Sequence, residues 1–482
     1  MIDGASINVK DYGAVGDGAT DDTAAIQAAN TAGWTVSIPV GTYKVSNLTL
    51  DKNISFQDGA ILSIDSGATL TINGGVEASE SQQIFSGLGS VAGLQESWVD
   101  WFGAVADGTT DDSTEINNAI QATSGIVHFR KDAQGYKLAS SILLDKPISL
   151  QGNNRALLKT STSMDLFEVE SDDVYVNGFR VEGVSDGTDH IFHLDTTTTT
   201  MERIYISDMY ITNCGRFIYD DDDASNIVIS LYVSNIQNRL CRERSVLLRD
   251  SWASIFFTDY VADYVGVTDS STNNPIFSIA NNQGAFITNV DLLGGTITGM
   301  SNRWGFSVED SESVHFKRCF ADTLGGYGFR LHNADYVRLE GVTASLCDQH
   351  AFLISGSSFD MIGTNIYAGG RQGLSSPTAS QNGIYITDTA SDINLATVTA
   401  RYNTGDGIHT DSTAACIISN IDAHNNNGRG VNLDGLACIA NGARLATNTT
   451  GNYNLVGTNH HLTNAQLNSG SLLTSATGPA NG

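Results

Sequence analysis

The residues Gly328-Phe329-Arg330-Leu331 decide the fold of this chain, because close copies of them return along the C-terminal part of the sequence. Each copy has a small residue, a large apolar residue, a variable residue and usually a second apolar residue. The copies are GFSV at 305–308, GFRL at 328–331, AFLI at 351–354, GIYI at 383–386, GIHT at 407–410 and GVNL at 430–433. Their starts lie 23, 23, 32, 24 and 23 residues apart. A nearly fixed period of this length is typical of a solenoid.

A second apolar segment lies between successive copies and alternates as a half-buried strand does. Such segments are Ser313–Ala321, Tyr336–Ala344, Ile393–Ala400 and Cys416–Ala423. No helix fits between the two strands of a repeat, and Gly, Asn, Asp and Ser occupy the corners. The sequence therefore predicts an all-β parallel β-helix with coils of about 23 residues. Residues in one column of the repeat should line up as a surface stripe along the axis.

The composition of the chain limits the classes of partner that it can bind. Among 482 residues, 53 are acidic and 25 are Lys or Arg, so the formal net charge is −28. This charge repels nucleic acid and anionic membranes, and we expect neither as a partner. No charged segment followed by an apolar core opens the sequence, so we expect no secretion signal. The 6 cysteines lack the spacing of a metal site and are predicted to be reduced thiols.

A longer repeat marks the N-terminal region. The segment Asp11–Ala29 returns as Asp100–Ala119, and each copy combines a Gly-rich turn, an Asp pair and a helical pattern. We predict a short helix in each copy, capped by the Asp pair. Short alternating runs between the copies predict either a few narrow coils or a small β-sandwich. The expected division is a head at 1–95, a β-helix body at 96–440 and a C-terminal polar tail or trimer-contacting end at 441–482.

The doubled GAVGDGxTDDTxAIQxA element, followed by an irregular and then a regular β-helix, resembles the pectate-lyase-like superfamily as found in bacteriophage tailspikes. This resemblance implies a right-handed parallel β-helix with short N-terminal capping helices, assembled as a homotrimer. It also implies a virion protein made in the host cytoplasm and attached to phage tail or baseplate proteins. Such a protein recognises a bacterial surface polysaccharide, O-antigen or capsule, and usually cleaves it. No cofactor and no metal are expected.

The residues just before each repeat start form a predicted surface stripe that mixes aromatic, amide, basic and acidic side chains. Aromatic faces stack on sugar rings, and the polar groups bond to hydroxyls, so the mixture suits a carbohydrate groove. An ordinary solvated face or a trimer contact is the alternative. The residues predicted to bind substrate are Arg303, Trp304, Tyr327, Arg330, His350, Arg371 and His409.

Two aspartates are the predicted catalytic pair. Asp348 and Asp406 lie two coils apart, which corresponds to roughly 9–10 Å at strand spacing. Inverting glycosidases hold an acid and a base about 6.5–9.5 Å apart. Asp322, on the coil before Asp348, is a possible third carboxylate. Residues 403–408, NTGDGI, also resemble the Asn-Thr-Asp-Gly-Ile strand of polygalacturonases, with a glycine inserted before Asp406. The prediction is an endo-glycosidase.

Other interpretations remain open. Glu309, Asp310 and Glu312 form a second acidic cluster, but Asp310 and Asn333 share a turn column, which favours a structural corner. The run Asp220–Asp223 offers oxygen ligands for Ca²⁺, although a solvated loop is the favoured interpretation. A polysaccharide lyase would use arginines to neutralise a uronate and His or Tyr to abstract its proton. The candidates for those roles are Arg371, Arg401, Tyr327, Tyr402 and His424. A tail adhesin would bind glycan without cutting it.

Overall fold

A computed structural model of the chain describes residues 6–183, 190–197, 200–220, 227–240, 245–249, 254–263, 274–296, 299–300, 303–370, 381–411, 415–435, 437–457, 460–467 and 472–477. The chain divides into two compact units. The first contains Met1–Val184 and Ile204–Tyr210, and the second contains Ser185–Arg203 and Ile211–Gly482. The predicted division into head, body and tail stays a prediction.

The first unit opens with narrow coils built from three small parallel sheets. One sheet contains Ser6–Asn8, Thr35–Ile38, Asn53–Phe56 and Val76–Glu77; the second contains Asp17–Asp21, Gly41–Val45, Ala60–Ile64 and Phe85–Gly87; the third contains Leu48–Leu50, Thr69–Ile72 and Ser90–Ala92. All of their pairings are parallel, and the register is continuous except for a shift between Asp17 and Asp21. Of the two predicted arrangements, the narrow coils are therefore the one that forms.

Both predicted helices are present. Helix α1 is Thr23–Ala32 and α2 is Ser113–Ala122, and each follows a 3-10 turn, Val9–Tyr12 or Val99–Phe102. Ile26 and Ala29 of α1 are fully buried, so the helix covers the apolar interior of the narrow coils. A helix placed in this way shields the open end of a stacked sheet.

The Asp pairs hold these helices in a different way from the one predicted. Asp21 Oδ1 accepts the Thr23 N–H at 3.0 Å and so bonds to the first turn of α1. Asp22 occupies the cap position, but its side chain makes no cap bond. It accepts instead the N–H groups of Val15 and Gly16 at 2.6 and 3.1 Å. The second motif repeats these contacts from Asp111 to Ser113 and from Asp112 to Val105 and Ala106. One aspartate thus serves the helix, and the other closes the preceding loop.

Wider coils follow in the first unit. Their strands are Leu94–Trp98, Asp107–Asp111, Thr123–Phe129, Gly135–Leu138, Ile142–Leu144, Ile148–Thr160, Phe167–Val169 and Val174–Glu182. Strand Ile204–Thr212 contains residues of both units. Within the described ranges, no helix combines the length and the apolar character needed to cross a lipid bilayer.

The second unit contains two long sheets, here called sheet I and sheet II, whose strands pair in parallel except for His461–Gln466 with Leu472–Thr477, which is antiparallel. Sheet I comprises His190–Leu194, Arg216–Asp220, Val246–Arg249, Asn274–Ala280, Arg303–Glu309, Phe329–His332, Phe352–Ser355, Ile384–Ile386, Ile408–Thr410, Arg429–Gly435 and Gly451–Gly457. Sheet II comprises Leu231–Arg239, Ile255–Asp263, Ala285–Leu293, Val314–Lys317, Phe320–Leu324, Arg338–Glu340, Thr343–Cys347, Phe359–Gly369, Ser391–Arg401, Ala415–His424, Ala437–Asn441, Arg444–Ala446, His461–Gln466 and Leu472–Thr477. Strands Gly295–Thr296 and Gly299–Met300 form a small antiparallel pair. The predicted parallel β-helix is confirmed.

The coils stack with each residue against its counterpart in the next coil. Phe306 pairs with Phe329, and Phe329 pairs with Phe352. The three rings are buried, and their centroids lie 4.6 and 4.8 Å apart. Pairing continues to His461 and Gln466, within the segment 441–482 that the sequence predicts as a polar tail or trimer-contacting end.

Corners are made by residues in the left-handed backbone region. Thr397 bends a strand of sheet II with a φ of 56°, and Asn365 and Asn420 bend its neighbours with φ of 56° and 50°. Asp310 and Asn333 both have a φ of 47° and are joined by a 2.8 Å hydrogen bond. Their predicted role as a structural corner is therefore confirmed. Asn and Asp tolerate this conformation better than most residues.

The five described cysteines are buried and unbridged, as predicted for reduced thiols: Cys214, Cys319, Cys347, Cys416 and Cys438. Asp220 is also buried, and its carboxylate accepts the Arg249 N–H at 2.8 Å. A solvated loop is therefore the wrong interpretation for Asp220. The rest of the predicted acidic run, 221–223, lies outside the described residues.

A ladder of three buried asparagines supports the corner between sheet II and sheet I. The Asn426 side-chain oxygen, Oδ1, accepts two hydrogen bonds from Asn403. One comes from the Asn403 backbone N–H at 3.1 Å, and the other comes from the Asn403 side-chain amide at 2.9 Å. The Asn426 side-chain amide donates to the backbone oxygen of Ala400 and to the side-chain oxygen of Asn448, both at 3.0 Å. Each coil thereby satisfies polar groups of its neighbours inside the core.

Replacing Asn426 by Ala should destabilise the second unit by about 2 kcal/mol or more, because buried donors and an acceptor lose their partners. The measurement is urea unfolding followed by circular dichroism. Asn427→Ala is the matched control, since Asn427 is the exposed neighbour and should change the midpoint little. Equal midpoints for the two variants would contradict a supporting role for the ladder.

Candidate functional site

The predicted stripe exists as one column on sheet I. Backbone N–H groups of Gly305, Gly328, Ala351, Gly383 and Gly407 donate to the carbonyl oxygens of Tyr327, His350, Asn382, Asp406 and Arg429 at 2.8, 3.2, 3.1, 3.0 and 2.8 Å. A second column lies beside it, in which Arg330, Leu353, Tyr385, His409 and Asn432 pair in sequence. The two columns form the candidate site.

Five ring-bearing side chains form a continuous row on this face, here called the ring row: Trp304, Tyr327, His350, Tyr385 and His409. Their successive centroids are separated by 5.1, 6.0, 4.7 and 5.2 Å. All five are partly exposed. The row therefore offers aromatic surface over several coils.

Trp304 is held at one end of the ring row. The Arg330 guanidinium carbon lies 5.4 Å from the indole centroid, within the range of a cation–π contact. Arg330 also pairs with Glu309 at 3.0 Å. Gly326 makes room for the indole, because a Cβ there would lie 1.8 Å from Trp304 Cδ1.

His350 lies in the middle of the ring row as a neutral imidazole. Burial, and secondarily the nearby His409, lower the pKa of His350 to about 4. Its Nδ1 accepts the Asn382 N–H at 3.1 Å. The ring proton must therefore be on Nε2, so His350 is a hydrogen-bond donor there.

Asp406 is a buried carboxylate with three hydrogen bonds. Its Oδ1 accepts the Arg429 N–H at 2.6 Å, and its Oδ2 accepts the Asn432 amide at 2.7 Å. His409 Nδ1 lies 3.1 Å from Oδ2. Burial raises the pKa of Asp406, but the bonds from His409, Arg429 and Asn432 outweigh it, and the pKa is lowered overall. Asp406 is therefore ionised at neutral pH.

His409 links this carboxylate to the ring row. Because Asp406 is ionised, His409 Nδ1–H donates the hydrogen bond between them, and His409 Nε2 takes no part in that bond. Tyr385, its neighbour in the column, donates its hydroxyl to Asp411, which also accepts from Thr387 at 2.6 Å. Burial and then Asp411 raise the pKa of Tyr385. The phenol stays protonated.

Asp348 contrasts with Asp406. It is exposed and belongs to the corner two residues before His350. Although it is exposed by surface area, the protein around its carboxyl group excludes enough water to raise the pKa of Asp348. The two aspartates thus lie in different columns and have pKa values shifted in opposite directions.

Three other predicted residues lie apart from this arrangement. Asp322 is on sheet II, where it pairs with Ser345 and accepts bonds from the hydroxyls of Ser345 and Thr323. Arg303 is fully buried, which argues against direct contact with a ligand. Arg371 lies outside the described residues.

Tyr385 and Asn432 are site residues that the sequence analysis missed. Both occupy the variable position of the repeat, the same position as Arg330 and His409. Following that column through every coil would have found them. Their contacts to Asp411 and Asp406 depend on side-chain direction, which the repeat does not encode.

The low pKa of His350 makes folding stability depend on pH. The folded-state pKa of about 4 lies below the ordinary value of 6.5, so between these values the unfolded chain binds a proton that the folded chain does not. Stability from this group is present above pH 6.5 and is lost as the pH falls towards 4. We expect wild type to lose about 1–2 kcal/mol more than His350→Phe between pH 7 and pH 5 in urea unfolding. His461→Phe, at an exposed position, should keep the wild-type difference; parallel pH curves for wild type and His350→Phe would refute the assignment.

Comparison with known proteins places a family match at the N-terminus. Residues 6–76 match the family described as rhamnogalacturonase A/epimerase, pectate lyase-like. The mannuronan C5-epimerases AlgE3 and AlgE5 of Azotobacter vinelandii are 64% and 61% identical to the chain over 44 residues. These matches cover 8% of this chain and only 2% and 4% of those enzymes.

Solved structures give a distant likeness. Tailspike protein 3 of bacteriophage CBA120 has a TM-score of 0.47 at 11% identity, and the match covers 76% of this chain and 61% of that protein. The A-module of the Azotobacter vinelandii mannuronan C-5 epimerase AlgE6 has a TM-score of 0.34 at 15% identity, covering 96% and 99%. Likeness at this level carries no argument about activity. The chain is a parallel β-helix protein, and its residues 6–76 match a pectate-lyase-like family.

Proposed function

We propose that the protein is a phage tailspike that binds a bacterial surface polysaccharide along the ring row and cleaves it by glycoside hydrolysis. One observation carries the proposal: two carboxyl groups with pKa values shifted in opposite directions flank a row of aromatic rings. Such a pair is the usual signature of a general acid and a general base.

The binding part of the proposal rests on the ring row. Sugar rings present C–H faces that pack on aromatic surfaces, while their hydroxyls bond to the polar groups between them. Trp304 and Tyr327 supply the aromatic surface, and Arg330 and His350 Nε2 supply donors. Successive coils are about 4.8 Å apart, so the row is long enough to contact more than one sugar unit.

The cleavage part assigns one role to each aspartate. Asp348, with the raised pKa, would protonate the glycosidic oxygen as the leaving group departs. Asp406, with the lowered pKa, would take a proton from the attacking water. Their coils are two apart, so the axial part of their separation alone is roughly 9–10 Å. Of the two glycosidase geometries this favours the wider one, the inverting mechanism, which needs room for that water. Activity should fall as the pH rises through the pKa of Asp348 and as it falls through that of Asp406.

We leave Asp322 out of this step because it lies on sheet II and bonds to Ser345 and Thr323. The homotrimer, the place in the virion and the contact with phage tail or baseplate proteins rest on the resemblance of the doubled N-terminal motif. Exposed strand edges in a solenoid make self-association physically reasonable.

The contact between His409 and Asp406 favours a second candidate reaction, proton abstraction from a uronate. His409 Nε2 would act as the base, with Asp406 holding the ring at 3.1 Å. Elimination after this step would give a lyase, and return of the proton to the opposite face would give an epimerase. The 44-residue matches are to enzymes named as epimerases, which supports keeping this candidate.

A panel of bacterial surface polysaccharides separates these candidates. Hydrolysis yields shorter fragments with new reducing ends, whereas a lyase also yields the ultraviolet absorbance of a new conjugated double bond. An epimerase changes the uronate composition without shortening the chain. Binding without any of these changes would favour an adhesin, and no binding to any glycan would refute the proposal.

If hydrolysis is found, Asp406→Asn and Asp348→Asn should each lower kcat by about 10²-fold or more, because each removes a proton-transfer group. Asp310→Asn is the matched control: Asp310 is a corner aspartate bonded to Asn333, and its replacement should change kcat less than about twofold. The assay is reducing-end release under saturating substrate. Full activity of either test variant would contradict its assigned role.

A further inference from the structure

We propose that a cleft in the first unit binds a sugar that carries no acidic group, at a place separate from the ring row. The cleft has a volume of about 430 Å³, which lies within the usual range of small-molecule sites. Its lining residues all fall between Asn73 and Trp101, so the cleft belongs to the first unit alone. The inference goes beyond the proposed function and does not depend on it.

The cleft lies where one stack of strands ends and another begins. Val76–Glu77 is the last strand of its four-stranded sheet, and Leu94–Trp98 is the first strand of the next sheet. Among the described strands, none pairs with both of them. Beside the cleft, the two coils are joined by hydrogen bonds. The Ile84 N–H donates to the Trp101 carbonyl oxygen at 3.0 Å, and Trp101 Nε1 donates to the Ser79 carbonyl oxygen at 2.9 Å.

Trp98 gives the cleft an aromatic surface that is fixed before any ligand binds. Its ring stacks on that of His128, with centroids 4.9 Å apart and 27° between the planes. His128 Nε2 in turn lies 2.8 Å from Glu96 Oε1, which holds the imidazole in place. Trp98 is half-buried and lines the cleft with surface that His128 does not cover. The C–H face of a sugar can pack on this indole, and little side-chain entropy is lost when it does so.

Hydrogen-bond acceptors surround the indole. The carboxylates of Glu77 and Glu96 and the amides of Asn73 and Gln95 line the cleft and are exposed. The two amide nitrogens already donate to other side chains, at 2.7 and 2.9 Å, and the amide oxygens are further acceptors. A ligand that suits this set is rich in donors, as the hydroxyl groups of a sugar are.

The charge of the cleft excludes acidic ligands. None of the described residues that line it is Lys or Arg, whereas Glu77 and Glu96 both line it. The chain as a whole has a formal net charge of −28. A uronate, a phosphate or a sulfate would therefore be repelled, and a sugar without an acidic group would not.

Other occupants fit the cleft less well. An open strand edge can accept a peptide strand, but Val76–Glu77 is only two residues long. Such an edge makes too few ladder bonds to fix the register of a peptide. A metal ion lacks ligands, because within the described ranges no group of three metal-ligating side chains lies at this cleft. A sugar uses both the indole and the acceptors.

The test uses the full chain labelled with fluorotryptophan, which should give one fluorine NMR signal for each of the five tryptophans. The signals lost in Trp98→Phe, Trp34→Phe and Trp304→Phe identify those three residues. Neutral trisaccharides of glucose, galactose, mannose and N-acetylglucosamine are titrated separately, beside trigalacturonate as the acidic probe. At least one neutral trisaccharide should shift the Trp98 signal in a saturable way with a Kd of about 1 mM or tighter. Trigalacturonate should not shift it, and neither sugar should shift the signal of Trp34, an exposed indole outside the cleft.

A matched pair of variants tests the acceptors without disturbing the core. Glu77→Gln replaces an exposed carboxylate of the cleft and should weaken binding of the neutral sugar by about 3- to 10-fold, because a hydrogen bond to a charged group is lost. Glu80→Gln is the control, since Glu80 is exposed in the same unit and does not line the cleft. It should change the Kd less than about twofold.

The inference would be overturned if no neutral trisaccharide shifted the Trp98 signal, or if trigalacturonate shifted it equally. An unchanged Kd in Glu77→Gln would also overturn it. A shift caused only by an extended peptide rich in lysine and valine would assign the cleft to a protein partner instead of a sugar. The Trp304 signal reports on the ring row independently, so this inference and the proposed function can fail separately.

Discussion

Every feature of the site depends on parallel, in-register hydrogen bonding between successive coils. This ladder places each side chain of one coil next to the side chain that occupies the same position in the next. Residues about 23 positions apart in the sequence thereby become neighbours on the surface. The asparagine ladder and the left-handed corners are columns of this kind, and the ring row is drawn from two adjacent columns. Changing the register of one coil would move its side chains in all three features at once.

The columns also explain why the pKa values of the site residues shift in different directions. Asp406 is ionised because the coil that follows supplies the Arg429 N–H and the Asn432 amide. Asp348 lies in a corner and accepts no comparable hydrogen bond from the described residues, so partial burial dominates and its pKa rises. His350 stays neutral between two rings. Different coils therefore shift the pKa of the same residue type in opposite directions.

Repeat spacing predicted the solenoid, the stripe and the corner role of Asp310, because these depend on backbone periodicity. The doubled motif predicted both helices, but not that Asp22 turns its carboxylate back to the preceding loop. The burial of individual side chains was the property that the sequence predicted least well. Arg303 begins a strand next to Trp304, yet it is fully buried, and alternation alone does not fix the face at a strand end. The different columns of Asp348 and Asp406 could be read from residue counts, since Asp348 precedes Phe352 by four residues and Asp406 precedes Ile408 by two. The opposite shifts of their pKa values could not, because these depend on burial and on donors from other coils.

The repeat of 32 residues between Ala351 and Gly383 has a consequence for how such a protein can diversify. Stacking is kept on both sides of residues 371–380, since the Gln381 N–H donates to the Gln349 carbonyl oxygen at 2.9 Å and the Gly370 N–H donates to the Arg401 carbonyl oxygen at 3.0 Å. The length of a corner is thus independent of the register of the coils that flank it. A lineage can exchange segments at this corner, next to the candidate site, at little cost in folding. New ligand preferences can therefore arise on an unchanged scaffold by insertion and deletion as well as by substitution.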